Sequence, residues 1–395
     1  MKIQKKSRRR IALRIVLLVL LTVAFAGAMI CNIFIPRSFA DYYGQNIFPA
    51  LSAPIQSFTM ITHVSVTENI VILFVPALLI GVIVWTVVLI KKFLSHGALL
   101  YLYKSYRNLI IVALLAAIIF QAMHGINFRK THVVDELELT QKELDFEDYC
   151  VTLKWAYMGM VEARSHLGED YNGVAHMNQS FENSATHANS LVDAFGREYG
   201  IPVSGNYLRA KPVSMSHYWS YTHIVGFYDM FLGEVNVNTD YMDIVEFPIT
   251  LTHEICHAKG YASETDCNLL AALACCSSTR ADFRYAGYYE IFWSVYPIAE
   301  EIADATGEAV PQYYQTSEME PVYRDMRASI HYWKNIDDEI DAIYEKLGIN
   351  IKEVSNATND AFLKSNGESG VDSYQVPDSS YVRFYLTYVD GAINA

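Results

Sequence analysis

The residues best suited to chemistry lie in one short stretch in the second half of the chain. His253 and His257 are four positions apart, so on a helix both imidazoles lie on one face and can bind one metal ion, with Glu254 beside them. Gly260 follows, and glycine readily adopts the left-handed conformation that ends a helix. The chain can then turn back and bring Glu264 to the same ion.

This pattern is typical of zinc hydrolases. A catalytic zinc site has three protein ligands and an open position for water, and His253, His257 and Glu264 supply that set. The sequence therefore predicts a Zn²⁺ cofactor, with Glu254 as the general base that accepts the proton of the zinc-bound water as it attacks a polarised carbonyl. The alternative is that two histidines on an amphipathic helix are ordinary core or surface residues, but the glycine and the acid that follow favour a metal.

Asp266 competes with Glu264 for the third ligand position. Ser263 and Asp266 have the spacing of a capping box, which predicts a structural role for Asp266 at the start of the next helix and leaves Glu264 free for zinc. Asn268 lies one turn beyond Glu264 on the same face, where its amide is a candidate to orient a metal ligand.

Membrane spans are predicted at the front of the chain. The protein has 395 residues, 52% of them hydrophobic, and three apolar runs lie at about 11–35, 70–90 and 108–123. A cleaved signal peptide is the alternative for the first run, but the run continues past the candidate cleavage site and two more follow. We therefore expect residues 1–123 to form a three-helix anchor and residues 124–395 a separate ectodomain.

The distribution of charge predicts the orientation. Residues 1–14 carry seven Lys and Arg and residues 91–107 carry four, whereas residues 36–69 carry only Arg37. The positive-inside rule then places the N-terminus in the cytoplasm and the C-terminal domain outside it, in a multi-pass protein of the cell membrane. Residues 124–395 hold 18 Lys and Arg against 41 Asp and Glu, a net charge of −23, which argues against nucleic acid as a partner.

The ectodomain is predicted to be mainly α-helical with a small sheet. Segment 214–238 ends in a strict alternation of polar and apolar residues, which predicts a strand at Glu234 to Asn238. This strand either pairs with an extended peptide substrate, with Glu234 and Asn236 as candidate substrate contacts, or is an ordinary sheet strand. Tyr288 lies in a tyrosine stripe that either stabilises an oxyanion or belongs to the core.

Cys256 and Cys267 are interpreted as small buried residues rather than disulfide partners. Helices are predicted at 137–166, 181–199, 264–277, 280–296, 321–333 and 336–347, and a polar linker precedes a last segment at 373–389.

The chain resembles a bacterial family of three-span membrane proteins known only as a domain of unknown function with a zinc-peptidase-like site. The resemblance extends almost from end to end. It rests on the three spans followed by Gly125-Ile-Asn-Phe, Gly226-Phe-Tyr, Gly233-Glu-Val-Asn-Val-Asn, the motif from His253 to Asn268, Arg284-Tyr-Ala-Gly-Tyr, and Gly370-Val-Asp-Ser-Tyr. It implies a zincin-like α+β metallopeptidase fold in which Glu264 matches the acidic third position, and it implies no particular substrate. Cys267 departs from the alanine more usual there.

Two classes of function follow from these observations. The first is a membrane-anchored zinc metallopeptidase that cleaves a peptide, a protein or a cell-wall peptide outside the cytoplasm. The second is a membrane sensor or scaffold without catalysis, in which the zinc site is structural or binds a signal. The intact Glu254 favours the enzyme, because a purely structural site needs no general base.

Overall fold

The protein is mainly helical, with a small three-stranded sheet. A computed structural model describes residues 2–391, apart from the side chains of residues 2–10, 28–33 and 314. Six of the seven N-terminal basic side chains and residues 392–395 therefore lie outside the described part of the chain. The described helices are α1 Lys2–Phe34, α2 Arg37–Tyr42, α3 Phe48–Thr59, α4 Val66–Leu94, α5 Ala98–Met123, α6 Val133–Glu136, α7 Phe146–Ser165, α8 Phe181–Tyr199, α9 Ser216–Ser220, α10 Phe247–Ala258, α11 Glu264–Cys276, α12 Ala281–Thr306, α13 Met319–Leu347, α14 Ile351–Ser365 and α15 Asp378–Phe384.

Two of the described helices, α4 and α5, are long and apolar enough to cross a membrane. Ser65 caps α4 by accepting a hydrogen bond from the Glu68 amide, and the apolar side chains of α4 are exposed around its circumference. The sequence predicts three spans. Of the first predicted run, at about 11–35, the described side chains include Ile11–Gly27, and the side chains of residues 28–33 lie outside the described part of the chain. Among the described residues there are thus two candidate spans where three are predicted.

The connection between α1 and α4 folds back onto the C-terminal domain. Phe48 of α3 is fully buried, and it packs beside Gly260 at the end of α10. Gln56, also in α3, donates from Nε2 to the carbonyl of Ala258 at 3.0 Å. This segment thus contacts the helix that carries the histidine pair.

The sheet has the strand order β1-β3-β2, with β1 Lys211–Pro212, β2 Gly226–Asp229 and β3 Glu234–Val237. Strand β3 pairs in parallel with β1 and antiparallel with β2. It is therefore the central strand, and both of its edges are already occupied. The interpretation of Glu234 to Asn238 as the strand that receives a substrate is wrong, since a peptide can add only to an open edge.

The helical core packs around α10, α11 and α12, whose inward faces are buried together with α7 and α8. Helix α8 has the predicted bounds, and Gly200 ends it with a φ of +72°. Other boundaries differ from the prediction. Helix α12 continues through Pro297, because buried residues on both sides hold it in the core although proline removes one backbone hydrogen bond.

The C-terminal part is more helical than the sequence predicts. The segments at 321–333 and 336–347 belong to one continuous helix, α13. The predicted linker contains α14, which Asn350 caps by accepting a hydrogen bond from the Glu353 amide. Leu363 buries its side chain fully. A segment rich in polar residues thus becomes a helix because a good cap and a buried apolar side chain are available in the tertiary structure.

Candidate metal centre

Helix α10 presents the histidine pair to the interior of the domain. Pro248 occupies the first turn, where its missing N–H removes no helical hydrogen bond. His253 and His257 follow one turn apart, with their ring centroids separated by 4.6 Å and their planes nearly perpendicular. Gly260 has a φ of +102°, which confirms the predicted turn at this position. A Cβ there would lie 3.1 Å from the Phe48 ring, so glycine also allows this close approach.

The turn brings Glu264 to the two imidazoles. Its Oε2 lies 3.1 Å from Nε2 of His253 and 3.3 Å from Nε2 of His257. The three side chains are buried, and one potential ligand atom from each lies within 4.8 Å of the others. Two imidazole nitrogens and one carboxylate oxygen are the donor set of many catalytic zinc sites, so the residues fit this metal.

The other ring nitrogens have partners that orient the imidazoles. Nδ1 of His253 lies 2.6 Å from Oδ1 of Asn268, and Nδ1 of His257 lies 2.9 Å from the carbonyl oxygen of Tyr261. Both partners accept hydrogen bonds, so each Nδ1 is the protonated nitrogen and each Nε2 is directed toward Glu264. Asn268 thus occupies the orienting position that the sequence indicates.

Electrostatics favour an ionised Glu264. Burial would raise the pKa of its carboxyl group, but the adjacent His257 and His253 outweigh that effect and hold the pKa below its ordinary value. Burial likewise lowers the pKa of His257, and the charge and hydrogen bond of Glu264 overcome it and raise the pKa to about 9. A metal ion must therefore displace a proton from His257 when it binds.

Glu254 lies in the same site but has different contacts. A Cβ at position 226 would lie 2.6 Å from Cγ and Oε1 of Glu254, so Gly226 of strand β2 provides the space for this carboxylate. Burial raises the pKa of Glu254, while the two neighbouring histidines and a backbone hydrogen bond from Tyr228 lower it. A carboxylate with a raised pKa is a stronger base than one in water.

Asp266 lies outside the ligand cluster. Its Oδ2 is 3.0 Å from Nδ1 of His132, and its Oδ1 accepts a hydrogen bond from the amide of Val133 at 3.0 Å. Asp266 therefore has a structural role, as predicted, but the predicted capping box is wrong. Ser263 is the N-cap residue of α11, and its side chain makes no capping hydrogen bond. The carboxylate of Asp266 holds helix α6 instead.

Three further candidates from the sequence lie away from the centre. Glu234 and Asn236 are buried in the middle of the sheet, where Glu234 pairs with Lys211 and Asn236 accepts a hydrogen bond from Ser65. Tyr288 packs against Gly159 and stacks edge-on with a tryptophan of α7. The oxyanion and substrate roles considered for these residues are therefore wrong.

A cavity of about 440 Å³ opens beside the histidine pair. One wall is the chain that leads into strand β2, another is the side of α10 that carries the half-buried Ile249 and Thr250, and residues of helix α14 line a third part. The described lining residues are Thr222, His223, Ile224, Val225, Gly226, Glu246, Ile249, Thr250, His253, Glu254, Asn268, Glu290, Ser355, Asn356, Asn359, Val371 and Tyr374.

Tyr374 is a site residue that motif spacing did not reveal. Its ring centroid lies 6.3 Å from that of His253, and its carbonyl accepts a 2.6 Å hydrogen bond from the side chain of Asn268. Its hydroxyl accepts a hydrogen bond from Asn359 of α14 at 3.2 Å. Burial and the charge of Glu264 raise the pKa of Tyr374, so its hydroxyl remains protonated and can donate a hydrogen bond. The sequence signal was only its place in a block shared with the resembling family.

His124 is a second residue that the sequence analysis missed. It follows the last residue of α5, and its ring centroid lies 6.0 Å from that of His257. Burial and the neighbouring His257 lower its pKa to about 3, so its imidazole is neutral at physiological pH. A candidate membrane helix therefore ends directly against the histidine pair.

The four cysteines near the centre are buried and free. Cys256 and Cys267 lie behind the histidine pair, with Sγ of Cys267 3.3 Å from Nδ1 of His257. This confirms their interpretation as small buried residues. Burial raises the pKa of both thiols.

Comparison with known proteins identifies a family but no characterised relative. No curated protein and no solved structure matches the chain. The profile of one family, described as a protein of unknown function and designated DUF3810, matches residues 43–377. The match includes α4, α5, the sheet and every residue of the candidate metal centre. The chain therefore belongs to the DUF3810 family.

Proposed function

We propose that this protein is a membrane-anchored zinc metallopeptidase that hydrolyses peptide bonds outside the cytoplasm. One observation carries the proposal: His253, His257 and Glu264 converge within 4.8 Å, and Glu254 lies beside them on the wall of the same cavity. A structural metal site is usually closed by four protein ligands, whereas three ligands next to a cavity leave one position for water and substrate.

The residues divide the chemistry among them. His253, His257 and Glu264 would hold the zinc ion, which would supply a Lewis acid to polarise a carbonyl and lower the pKa of a water. Glu254 accepts the proton of the attacking water and then delivers it to the leaving amine. Its raised pKa favours the first step, the absence of a side chain at Gly226 leaves room for the carboxylate, and the backbone of Tyr228 donates a hydrogen bond to it.

Strand β2 is the better candidate for binding the peptide backbone. It is an edge strand of the described sheet, and residues 222–226 line the cavity next to Glu254. An extended substrate can therefore pair with this edge and place its scissile bond beside the metal. This assignment replaces the predicted role of the buried central strand.

Tyr374 is the proposed stabiliser of the oxyanion. Its ring stacks near His253, and its hydroxyl is a protonated donor that lies close to Glu264. A preorganised donor near the developing negative charge contributes on the order of 10²- to 10³-fold to rate. Tyr374→Phe should therefore lower kcat while zinc content and fold remain unchanged.

The proposed placement has three spans and a cytoplasmic N-terminus. It is supported by the exposed apolar surfaces of α4 and α5, the apolar stretch of α1 and the basic residues at the N-terminus and in 91–107. A C-terminal alkaline phosphatase fusion, which is active only outside the cytoplasm, should be active. Activity of a cytoplasmic reporter at the same position instead would contradict the topology.

The decisive experiment compares the wild type with Glu254→Gln in the full chain. The variant should retain one zinc ion and its fold while losing about 10²- to 10⁴-fold in peptide hydrolysis, since only the base is removed. Glu301→Gln, an exposed acid on α12, is the matched control. Proteomic comparison of cells that carry each variant then reports the substrates that accumulate with Glu254→Gln.

The alternative is a membrane sensor or scaffold, and the position of His124 favours it. Because α5 ends against His257, metal or ligand binding has a direct contact through which to act on a candidate membrane helix. For a sensor, Glu254→Gln should complement a deletion strain fully while retaining zinc, because neither the ligands nor the contact of His124 changes. For a peptidase, complementation should fail.

A further inference from the structure

The cavity contains two carboxylates for which the proposed reaction has no use. Glu246 precedes α10, and Glu290 projects from α12; both line the cavity that also contains Glu254. Glu290 lies two residues after Tyr288, about 200° around the helix, which explains why Tyr288 faces α7 while Glu290 faces the cavity.

Neither carboxylate has a cationic partner among the described residues. Glu246 accepts one hydrogen bond, from Nε1 of Trp333 at 3.3 Å. Glu290 accepts one weak hydrogen bond, from the hydroxyl of Ser294 at 3.4 Å. The residues described as lining the cavity include no lysine and no arginine. Both residues therefore line the same cavity, and neither carboxylate has the ion pair that a charge shielded from water ordinarily has.

The surroundings increase the negative potential. Asp243 is 3% exposed, and its Oδ2 has no hydrogen-bond partner. Burial, followed by the charge of Asp243, raises the pKa of Glu246 to about 7, and burial also raises the pKa of Glu290. Half-buried carboxylates that line one cavity without a counter-charge favour the binding of a cation, because the cation supplies the missing half of the ion pair.

The geometry relates this pair of acids to the proposed scissile bond. Glu246, Thr250 and Glu254 follow one another at four-residue intervals on one face, so Glu246 lies about 12 Å along the helix axis from Glu254. That distance corresponds to three or four residues of extended chain. A substrate residue that many positions from the scissile bond therefore lies at the level of Glu246, and a long side chain on it can reach Glu246 and Glu290.

We propose that Glu246 and Glu290 form a specificity subsite for the ammonium or guanidinium group of a lysine or arginine side chain in the peptide substrate. This inference rests on the proposed function, since it names the substrate class of the same cavity. A neutral or acidic side chain at that position leaves the two carboxylates unpaired and binds less tightly.

Binding to an inactive enzyme tests the subsite without relying on turnover. The probe is a fluorescent alanine-rich octapeptide in which one position is either lysine or its neutral, similarly long analogue norleucine, and that position is scanned along the peptide. The protein is the zinc-loaded full chain carrying Glu254→Gln, in detergent at pH 8, and the dissociation constant is measured by fluorescence anisotropy. At one or two positions lysine should bind roughly 10- to 100-fold more tightly than norleucine, as expected for a charged hydrogen-bonded pair.

Variants of the subsite should remove this preference. Adding Glu246→Gln or Glu290→Gln should reduce the lysine-to-norleucine ratio to less than about threefold, while the added control Glu301→Gln leaves it unchanged. Zinc content reports whether each variant is folded. A ratio near one at every position, or a ratio that survives both subsite variants, would overturn the proposal. Calcium-dependent stabilisation that disappears with Glu290→Gln would also overturn it, because the pair would then be a metal site.

The outcomes separate the subsite from the hydrolytic function. If wild-type protein cleaves none of the peptides but the Glu254→Gln protein still prefers lysine, hydrolysis is wrong and the subsite stands. If the wild type cleaves lysine and norleucine peptides equally well and binding shows no preference, the subsite is wrong and the hydrolytic function stands.

Discussion

A buried ion pair in the sheet offers a sharp test of how the juxtamembrane segment is joined to the domain. Lys211 and Glu234 are each 1% exposed, and their Nζ and Oε1 atoms are 2.5 Å apart. Lys211 also donates to the carbonyl of Thr59 and the hydroxyl of Thr62, both of which precede α4. We predict that Lys211→Met, which keeps most of the length of the side chain but removes its charged ammonium group, loosens this junction.

The loss of stability in Lys211→Met depends on which partners Glu234 keeps. Removing one partner of a buried pair typically costs about 3–5 kcal/mol, because the other charge is left without compensation. Glu234 still accepts hydrogen bonds from the amides of Val66 and Thr67, which favours the lower end of that range. At roughly 2 °C per kcal/mol for a domain of this size, the melting temperature should fall by about 6 °C.

The assay is thermal unfolding of the full chain in detergent, with Lys334→Met as the control. Lys334 pairs with Asp338 on the surface, where both side chains are more than half exposed. Such a pair contributes about 0–1 kcal/mol, so the control should change the melting temperature by 2 °C or less. The double variant Lys211→Met with Glu234→Gln should be more stable than Lys211→Met alone, because it leaves no unpaired charge. A Lys211→Met protein as stable as the control would refute this reasoning.

Three further predictions concern the metal centre and its cavity. Glu264→Ala should lower zinc affinity at least about 100-fold. Asp266→Ala should still bind zinc but should lose about 1–3 kcal/mol of stability, because two hydrogen bonds are removed. If metal analysis and melting curves show instead that Asp266→Ala loses zinc and Glu264→Ala keeps it, Asp266 is the ligand and Glu264 the structural residue. Asn268→Ala should weaken zinc binding about 10- to 100-fold, because Nδ1 of His253 loses the oxygen that accepts its hydrogen bond. Unchanged zinc affinity in a competition titration would show that Asn268 does not orient His253. Because burial raises the pKa of Glu246 from 4.5 to about 7, the stability that its protonated form provides is complete below pH 4.5 and is lost as the pH rises through 7. Glu246→Gln should therefore stabilise the protein by up to about 3 kcal/mol at pH 8 and by almost nothing at pH 4, and equal effects at both pH values would contradict this.

The local part of the candidate centre could be predicted from the sequence alone. The four-residue spacing of His253 and His257 places both rings on one helix face whatever surrounds that helix. Gly260 ends the helix, and Glu264 begins the next one. The three residues are close in the chain, so a single turn brings them together. The apolar runs of α4 and α5 are equally local, because hydrophobicity and length suffice to identify a candidate span.

Only the tertiary structure decided which residues join that centre from elsewhere in the chain. His124, Glu290 and Tyr374 lie far from the motif in sequence and reach it through the packing of α5, α12 and the segment after α14. The same holds for Glu234, whose strand alternates as an edge strand does but has neighbours on both sides. Periodicity determines which face of an element is buried, but the identity of the neighbour depends on contacts between distant segments, and no local pattern encodes those contacts.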